Sequence, residues 1–547
     1  MSLTKVTYSM IDGAAVSVKD FGAVGDGVAN DTSAIQAAIN FGNKGVYFPD
    51  GTYLINAALT VPSNRTLFGT GTIKLANNAG VNSTNPRVAD MLVGTAVSNV
   101  TIDGLSFDGN KTNQTVGTAM ILFVDDTSVK ASNIKITNCN VYNGFISGIG
   151  FGGVQSGIVS NCHIYNHNFH GYYSGGGTLL ATENVTIIGN TLEDCAGAGI
   201  IPMGNGKHTT ISGNALYRCG GNGDGITCYD VDNEYVTISG NVVIDSINHG
   251  IHAGGRYTSI VGNVVKNSGQ AGILFRAQQN GVPAPSSHIS ISGNTVEKNI
   301  ESTFLPYSTC IAIRQVSNFA ISGNTCHVTG TNEIYGIHVD VSSAGSVSGN
   351  TVLGGMFGIK TTGSIRFTLS GNSLYNQNQN AINCANTEQA MIAGNNTYAS
   401  GLSVGTGNGY ALVFDADCDR VNVVGNHFRE TSEAFLVSDF GSNNRYSGNF
   451  YTDGTTIYDF GGVVAASTIN LNPFFDAYII SGSPTSINAI TGGWGGRVVT
   501  LTFTQNQTLV HGISGDAINF TSGTNYSATP TTVLTIVYRG GYWTASA

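Results

Sequence analysis

From about residue 185 to 449 apolar and polar residues alternate in short runs, and each run ends in Gly-Asn. Val185-Thr186-Ile187 leads to Gly189-Asn190, and Val236-Thr237-Ile238 leads to Gly240-Asn241. A period of two predicts half-buried strands. Gly-Asn predicts a tight turn, because both residues tolerate left-handed backbone angles. A second strand follows the Asn, as in Thr191-Leu192, Val242-Val243 and Thr295-Val296. A third follows a Gly, as in Gly199-Ile200, Gly225-Ile226, Gly250-Ile251 and Gly336-Ile337. Successive turn asparagines from Asn190 to Asn449 lie 24, 27, 22, 31, 30, 26, 22, 23, 31 and 23 residues apart. A repeat of that length, with three strands per unit, predicts an all-β chain wound as a right-handed parallel β-helix. The asparagines would stack as a ladder, and the longer gaps would be loops.

Strand side chains alternate sides, so the third strand assigns faces. Tyr172, Ile200, Ile226, Ile251, Ile273, Ile311, Ile337, Ile359 and Ile382 form one inward column. Ser174, Pro202, Cys228, Ala253, Phe275, Ile313, Val339, Thr361 and Cys384 form the other. The outward columns hold the functional-looking residues: Tyr173, His252, His338 and Lys360 in one, Tyr229, Arg276, Arg314 and Asp340 in the other.

The ends differ from the repeat. Asp31 is placed to cap a helix through about Phe41, with Ala34, Ile35, Ala38 and Ile39 on one face. That helix would cover the open end of the coil. The stretch D-F-G-A-V-G-D-G, with N-D-T-S-A-I-Q-A-A-I and V-Y-F-P-D-G-T-Y after it, resembles the opening of pectate-lyase-like β-helix proteins. It looks most like bacteriophage tailspikes that degrade bacterial surface polysaccharide. The resemblance implies an elongated homotrimer on a virion, made in the host cytoplasm and joined to a phage tail or adapter protein. Its partner would be capsular polysaccharide or a lipopolysaccharide O-chain. The Asp and Gly residues of the opening motif read as turn builders. Past Asn449 the repeat stops. The Thr-apolar alternation of T-V-L-T-I-V-Y between Gly-rich turns predicts a C-terminal antiparallel β-sandwich for trimerisation or carbohydrate binding. The expected organisation is a lead and cap over 1–60, the β-helix over 61–460 and the sandwich over 461–547.

Only 10% of residues are charged and the net charge is −10, which argues against nucleic acid as a partner. No apolar run is long enough to insert in a membrane, and the first residues lack the apolar core of a signal peptide. The nine cysteines show no C-x-x-C spacing. They read as buried thiols, and no metal or other cofactor is expected.

Two clusters carry candidate chemistry. Around the coil at Gly225 stand Asp224, Tyr229, Asp230, Asp232 and Glu234, joined from the next coil by His249, His252 and Arg256. Glycoside hydrolysis needs two carboxyl groups, about 5 Å apart for retention or about 6.5–9.5 Å for inversion. Asp230 and Asp232 are the leading pair, with Asp224 nearby. The second cluster is Arg276, Arg314, His338, Asp340 and Lys360. There His338 would act as base, and the cations would hold a sugar carboxylate. Tyr229, His252, Arg276, Arg314, Lys360 and Tyr173 are the expected substrate contacts; Asp224, Asp230, Asp232, His338 and Asp340 are the catalytic candidates. Hydrolysis is the leading reaction. A uronate lyase, a non-catalytic receptor-binding fibre and a cellular pectin-type enzyme are the rivals.

Overall fold

The computed structural model describes residues 15–42, 45–79, 90–117, 119–126, 128–174, 181–202, 206–221, 223–279, 282–299, 308–329, 334–398, 410–429, 437–439, 444–452, 457–458, 461–464, 468–470, 477–481, 486–491, 497–503, 506–512, 518–529, 532–539 and 542–545. The chain folds as two compact units, Met1–Gly345 and Ser346–Ala547.

In the first unit three parallel sheets grow together, one strand per sheet per coil. The strand before each Gly-Asn belongs to the first sheet, as Val185–Ile188, Thr210–Ser212, Thr237–Ser239 and Arg256–Val261. The strand after it belongs to the second, as Thr191–Cys195, Ala215–Tyr217 and Val242–Ile244. The third sheet holds Tyr172–Ser174, Ile200–Pro202, Ile226–Cys228, Ile251–Ala253, Ile273–Phe275, Thr309–Arg314 and Tyr335–Asp340. Registers stack the expected columns: Ile226 pairs with Ile251, Ile251 with Ile273, Ile273 with Ile311 and Ile311 with Ile337. These isoleucines are fully buried.

At each corner the Gly takes the left-handed angle, for example Gly213 at φ 63° and Gly240 at φ 62°. The Asn turns inward. Asn214 Nδ2 donates to Asn241 Oδ1 at 2.9 Å and to the Ile187 carbonyl at 2.9 Å, and Asn214 N donates to Asn241 Oδ1 at 3.0 Å. The same bonds run from Asn190 to Asn324 in this unit. Each carboxamide thereby satisfies main-chain groups that the corner would otherwise leave buried without partners.

The helix spans Thr32–Asn40 with Ile35, Ala38 and Ile39 buried. Asp31 does not cap it. Its carboxylate instead accepts from Val24 N at 2.7 Å and Gly25 N at 3.0 Å, tying down the preceding loop, and no side-chain bond reaches the helix. In that opening loop Gly22, Gly25 and Gly27 all have positive φ, and Asp26 accepts from Val28 N and Ala29 N. The motif does build turns.

The second unit repeats the corner ladder from Asn350 through Asn372, Asn395 and Asn426 to Asn449. Its final segment departs from the expected antiparallel sandwich. Gly461–Val464, Ala477–Ser481 and Val498–Phe503 pair in parallel, as do Thr468–Asn470 with Ala489–Thr491 and Ser486–Ile487 with Gln507–Leu509. Antiparallel pairs follow, Gln507–Leu509 with Tyr526–Ala528 and Val533–Arg539 with both Val498–Phe503 and Tyr542–Ala545. The period-two pattern states which face is apolar and says nothing of strand direction, so alternation alone did not distinguish these arrangements. The segment has its own core, in which Trp543 is fully buried and donates to the Ile490 carbonyl at 2.7 Å.

Candidate active site

The outward column of the third sheet is not open to water. Thr227, His252, Leu274, Ala312 and His338 are each 5% exposed or less. The flanking turns fold over the strands. Ala271, from the turn before Ile273–Phe275, packs on Leu274 and Ala312. A hairpin of Ala277–Gln279 and Val282–Ala284, inside the insert expected after Arg276, stands beside them. The other expected insert falls largely on residues 300–307, outside the described residues.

Thr227 and His252 are register neighbours on adjacent strands, and Asp224 sits just before the first of them. Asp224 Oδ2 lies 3.3 Å from His252 Nδ1 and accepts from Thr227 Oγ1 at 3.0 Å. Its Oδ1 accepts from His249 N at 3.1 Å. Burial pushes this carboxyl up, but the bonds from His252 and Thr227 and the pull of His252 outweigh that and hold it below the ordinary carboxylate range. His252 Nε2 faces the Arg276 carbonyl at 3.2 Å. Both ring nitrogens therefore meet oxygen atoms. Tyr229 lies against it, ring centroids 4.7 Å apart. Burial first, then the Asp224 and Asp230 charges, raise the Tyr229 phenol above its ordinary value. It therefore carries its proton at neutral pH.

Asp224, His249 and His252 also bring ligating atoms within 4.8 Å of one another, the spacing of a metal site. The donor set does not fit. His249 Nδ1 accepts from Ala271 N at 3.0 Å, so its proton sits on Nε2. A metal-bound histidine instead donates through its second nitrogen. Burial, against the pull of Asp224, lowers the His249 pKa to about 3 and keeps the ring neutral. Lys298 is among the charges acting on it, and the sequence reading missed this residue. Lys298 is fully buried, donates from Nζ to the Ser268 carbonyl at 2.8 Å, and is pulled down to about 8 by burial. Its signal was present: in Thr295-Val296-Glu297-Lys298 the alternation puts a lysine on the inward side.

The other candidates separate. Asp230 and Asp232 follow the strand at the mouth of this cluster; Asp230 is half-buried and its main chain bridges to Gln278, while Asp232 is exposed. Glu234 and Arg256 leave the site, since they pair with each other at 2.6 Å. They join an outer ladder with Lys207, where Lys207 and Glu234 lie 3.9 Å apart. Glu234→Gln should change unfolding free energy by less than about 1 kcal/mol, measured by urea titration, because its cationic partners Lys207 and Arg256 are about half exposed and water screens the pairs. Arg276 contributes its carbonyl to His252. Two coils beyond His252, Arg314 Nε contacts Asp340 Oδ2 of the following coil at 3.2 Å, on paired strands as expected. His338 is buried there with Tyr335 edge-on at 5.7 Å. Lys360 belongs to the second unit, with Nζ 5.4 Å from the Phe357 ring centroid. Tyr173, two coils before Ile226, lies across Gly150 and packs on Ala119, Leu122 and Val124.

Residues 15–227 match the family described as rhamnogalacturonase A/epimerase, pectate lyase-like, and residues 224–352 match the right-handed beta helix region. The chain is a right-handed β-helix whose first part matches a pectate-lyase-like family. It is 24% identical over 521 residues to the preneck appendage protein of Bacillus phage PZA, covering 87% of this chain and 56% of that one. It therefore spans about half the length of that relative. Among solved structures, bacteriophage phi29 gene product 12 superposes with a TM-score of 0.54 at 17% identity, covering 86% of this β-helix and 62% of that chain. The A-module of the mannuronan C-5 epimerase AlgE6 of Azotobacter vinelandii gives a TM-score of 0.50 at 19% identity, covering 70% and 98%. The β-helix thus shares its fold with a phage appendage protein and with the module of a mannuronan epimerase. Among the described residues no helix is long and apolar enough to cross a membrane.

Proposed function

We propose that this β-helix is the glycan-cleaving part of a phage tail appendage, acting on capsular polysaccharide or a lipopolysaccharide O-chain at the bacterial surface. The carrying observation is the Asp224–His252–Tyr229 stack, with a phenol at its outer end. Tyr229 protonates the leaving glycosidic oxygen. Asp230 or Asp232, at the same mouth, takes a proton from the attacking water. Asp224 and His252 position the phenol; a carboxyl held low and already bonded three ways is a poor proton donor. The relatives named for phage appendages and for a mannuronan epimerase support this setting. Beta-elimination on a uronate chain is the second reading, favoured because the nearest ring pair is a phenol and an imidazole rather than two carboxyls.

Incubation with purified capsules from a strain panel tests this. New reducing ends without ultraviolet absorbance from an unsaturated uronate mean hydrolysis, and absorbance means elimination. Bound but unshortened polymer would sink both. Tyr229→Phe, and separately Asp230→Asn with Asp232→Asn, should each lower the cleavage rate by about 10²–10⁴-fold. Asp340→Asn should leave it within a few-fold, since Asp340 is engaged with Arg314. The reverse pattern would move the site to His338 and Asp340. The working assembly is a homotrimer, for which light scattering should give a mass near three chains.

A further inference from the structure

A second surface draws its own conclusion. On the first sheet one outward column takes left-handed angles coil after coil. It begins with Asn64, Asn99 and Asn133 at φ 60°, 58° and 52°. Their exposed amides bond in series, Asn99 Nδ2 to Asn64 Oδ1 at 2.9 Å and Asn133 Nδ2 to Asn99 Oδ1 at 2.8 Å. Asparagine is the side chain that backbone prefers after glycine. Yet four successive coils carry His208, Tyr235, Tyr257 and His288 there, at φ 54°, 58°, 54° and 59°. Left-handed angles are strained for the two tyrosines, while histidine tolerates them better. The rings are not hidden in return: Tyr235 is 49% and Tyr257 45% exposed. They stack on one another at 5.0, 5.0 and 4.9 Å between centroids.

The stack stops at His288, because the next residue in the column is Asn318. Where it stops there is a shallow cavity of about 450 Å³. Tyr257 and His288 wall it and Asn318 continues their column, Ser259, Ser290 and Ala320 form the next outward column beside them, and Thr258, Ile289 and Phe319 lie buried beneath. No carboxylate, lysine or arginine lines it. An aromatic wall, a small-residue column beside it, an amide and the absence of charge suit a ligand with an apolar C–H face and uncharged hydroxyls.

We propose that this cavity is a binding subsite for a neutral pyranose unit of a glycan, on a different sheet from the cleavage site. The strained rings are retained because they hold the sugar.

The test uses the full chain and a panel of neutral hexose oligosaccharides (glucan, galactan and mannan hexamers), with a uronate hexamer beside them. Binding is read by calorimetry and by saturation transfer to the sugar protons. The variants are Tyr257→Asn and His288→Asn, singly and together, which install the residue this column uses elsewhere. At least one neutral hexamer should bind, and the double variant should weaken it tenfold or more. Its melting temperature should stay equal or rise, and cleavage of short substrates should be unchanged. Binding of the uronate hexamer alone, unchanged neutral binding in the double variant, or a lowered melting temperature showing the stack to be scaffold would each overturn the proposal.

Discussion

Asn241→Ala should destabilise the first unit by about 4 kcal/mol. The Asn241 carboxamide is buried and fully used. Its Oδ1 accepts from Asn214 N and Asn214 Nδ2, and its Nδ2 donates to the Ile211 carbonyl and to Asn263 Oδ1. Truncation leaves the Asn214 N–H, one Asn214 amide hydrogen and the Ile211 carbonyl short of these partners. A buried polar group stripped of its partner costs about 1–3 kcal/mol. The side chain lost is also volume in a close-packed corner, which adds to the cost. The control is Asn99→Gly. Asn99 belongs to an exposed asparagine series at φ 58°, and glycine keeps that angle. Water replaces its amide bonds, so the change should stay within about 0.5 kcal/mol. Guanidinium unfolding followed by circular dichroism compares the two. Equal midpoints for both variants would mean that the inner ladder follows the coil without holding it.

The contrast between these ladders shows what the sequence could and could not say. Gly-Asn located every corner from Asn190 to Asn449, because a turn requirement is local and repeats with the backbone. The outer column is less visible. Asn99, Tyr235 and His288 share a backbone angle but not a residue type, so no repeated letter marks them. The same limit applies at the site. Asp224, Tyr229 and His252 were legible as a cluster because register places neighbours on one face. Their burial was not, since it comes from turns such as that at Ala271, whose path depends on packing between coils. Arg256 and Glu234 were drawn into the wrong group for that reason: nearness in sequence does not say which side of a turn a side chain takes. At the C-terminal end, alternation gave strands but not their direction, and the parallel pairs of Gly461–Val464 and Ala477–Ser481 went unforeseen.

Acid should weaken the first unit well before its carboxylates titrate. His167 and His249 are buried as neutral rings. Burial lowers the first to about 4, with the Lys111 charge adding to it and a bond to the Val141 carbonyl at 3.1 Å opposing it. Burial lowers the second to about 3, with His252, Lys298 and Arg276 adding to it and Asp224 opposing it. In the unfolded chain both titrate near 6.5. Between about pH 6.5 and 4 the unfolded state therefore binds two protons that the folded state refuses. Stability is fully present above pH 6.5 and falls as the pH drops, by about 2.7 kcal/mol per unit once both unfolded rings are charged. From pH 7 to pH 5 the loss from these two rings should be about 4 kcal/mol. Asp224, held below its ordinary value, acts in the same direction but at lower pH, where the unfolded carboxylate begins to protonate. Unfolding free energies across that range should rise with pH in the wild-type chain. They should rise about a third less steeply in His167→Gln and keep about a third of the slope when His249→Gln is added, because His170, also lowered to about 4 by burial, titrates in the same window. A flat wild-type profile would mean that these rings are not neutral and buried. An equally steep profile in the double variant would assign the acid response to other groups.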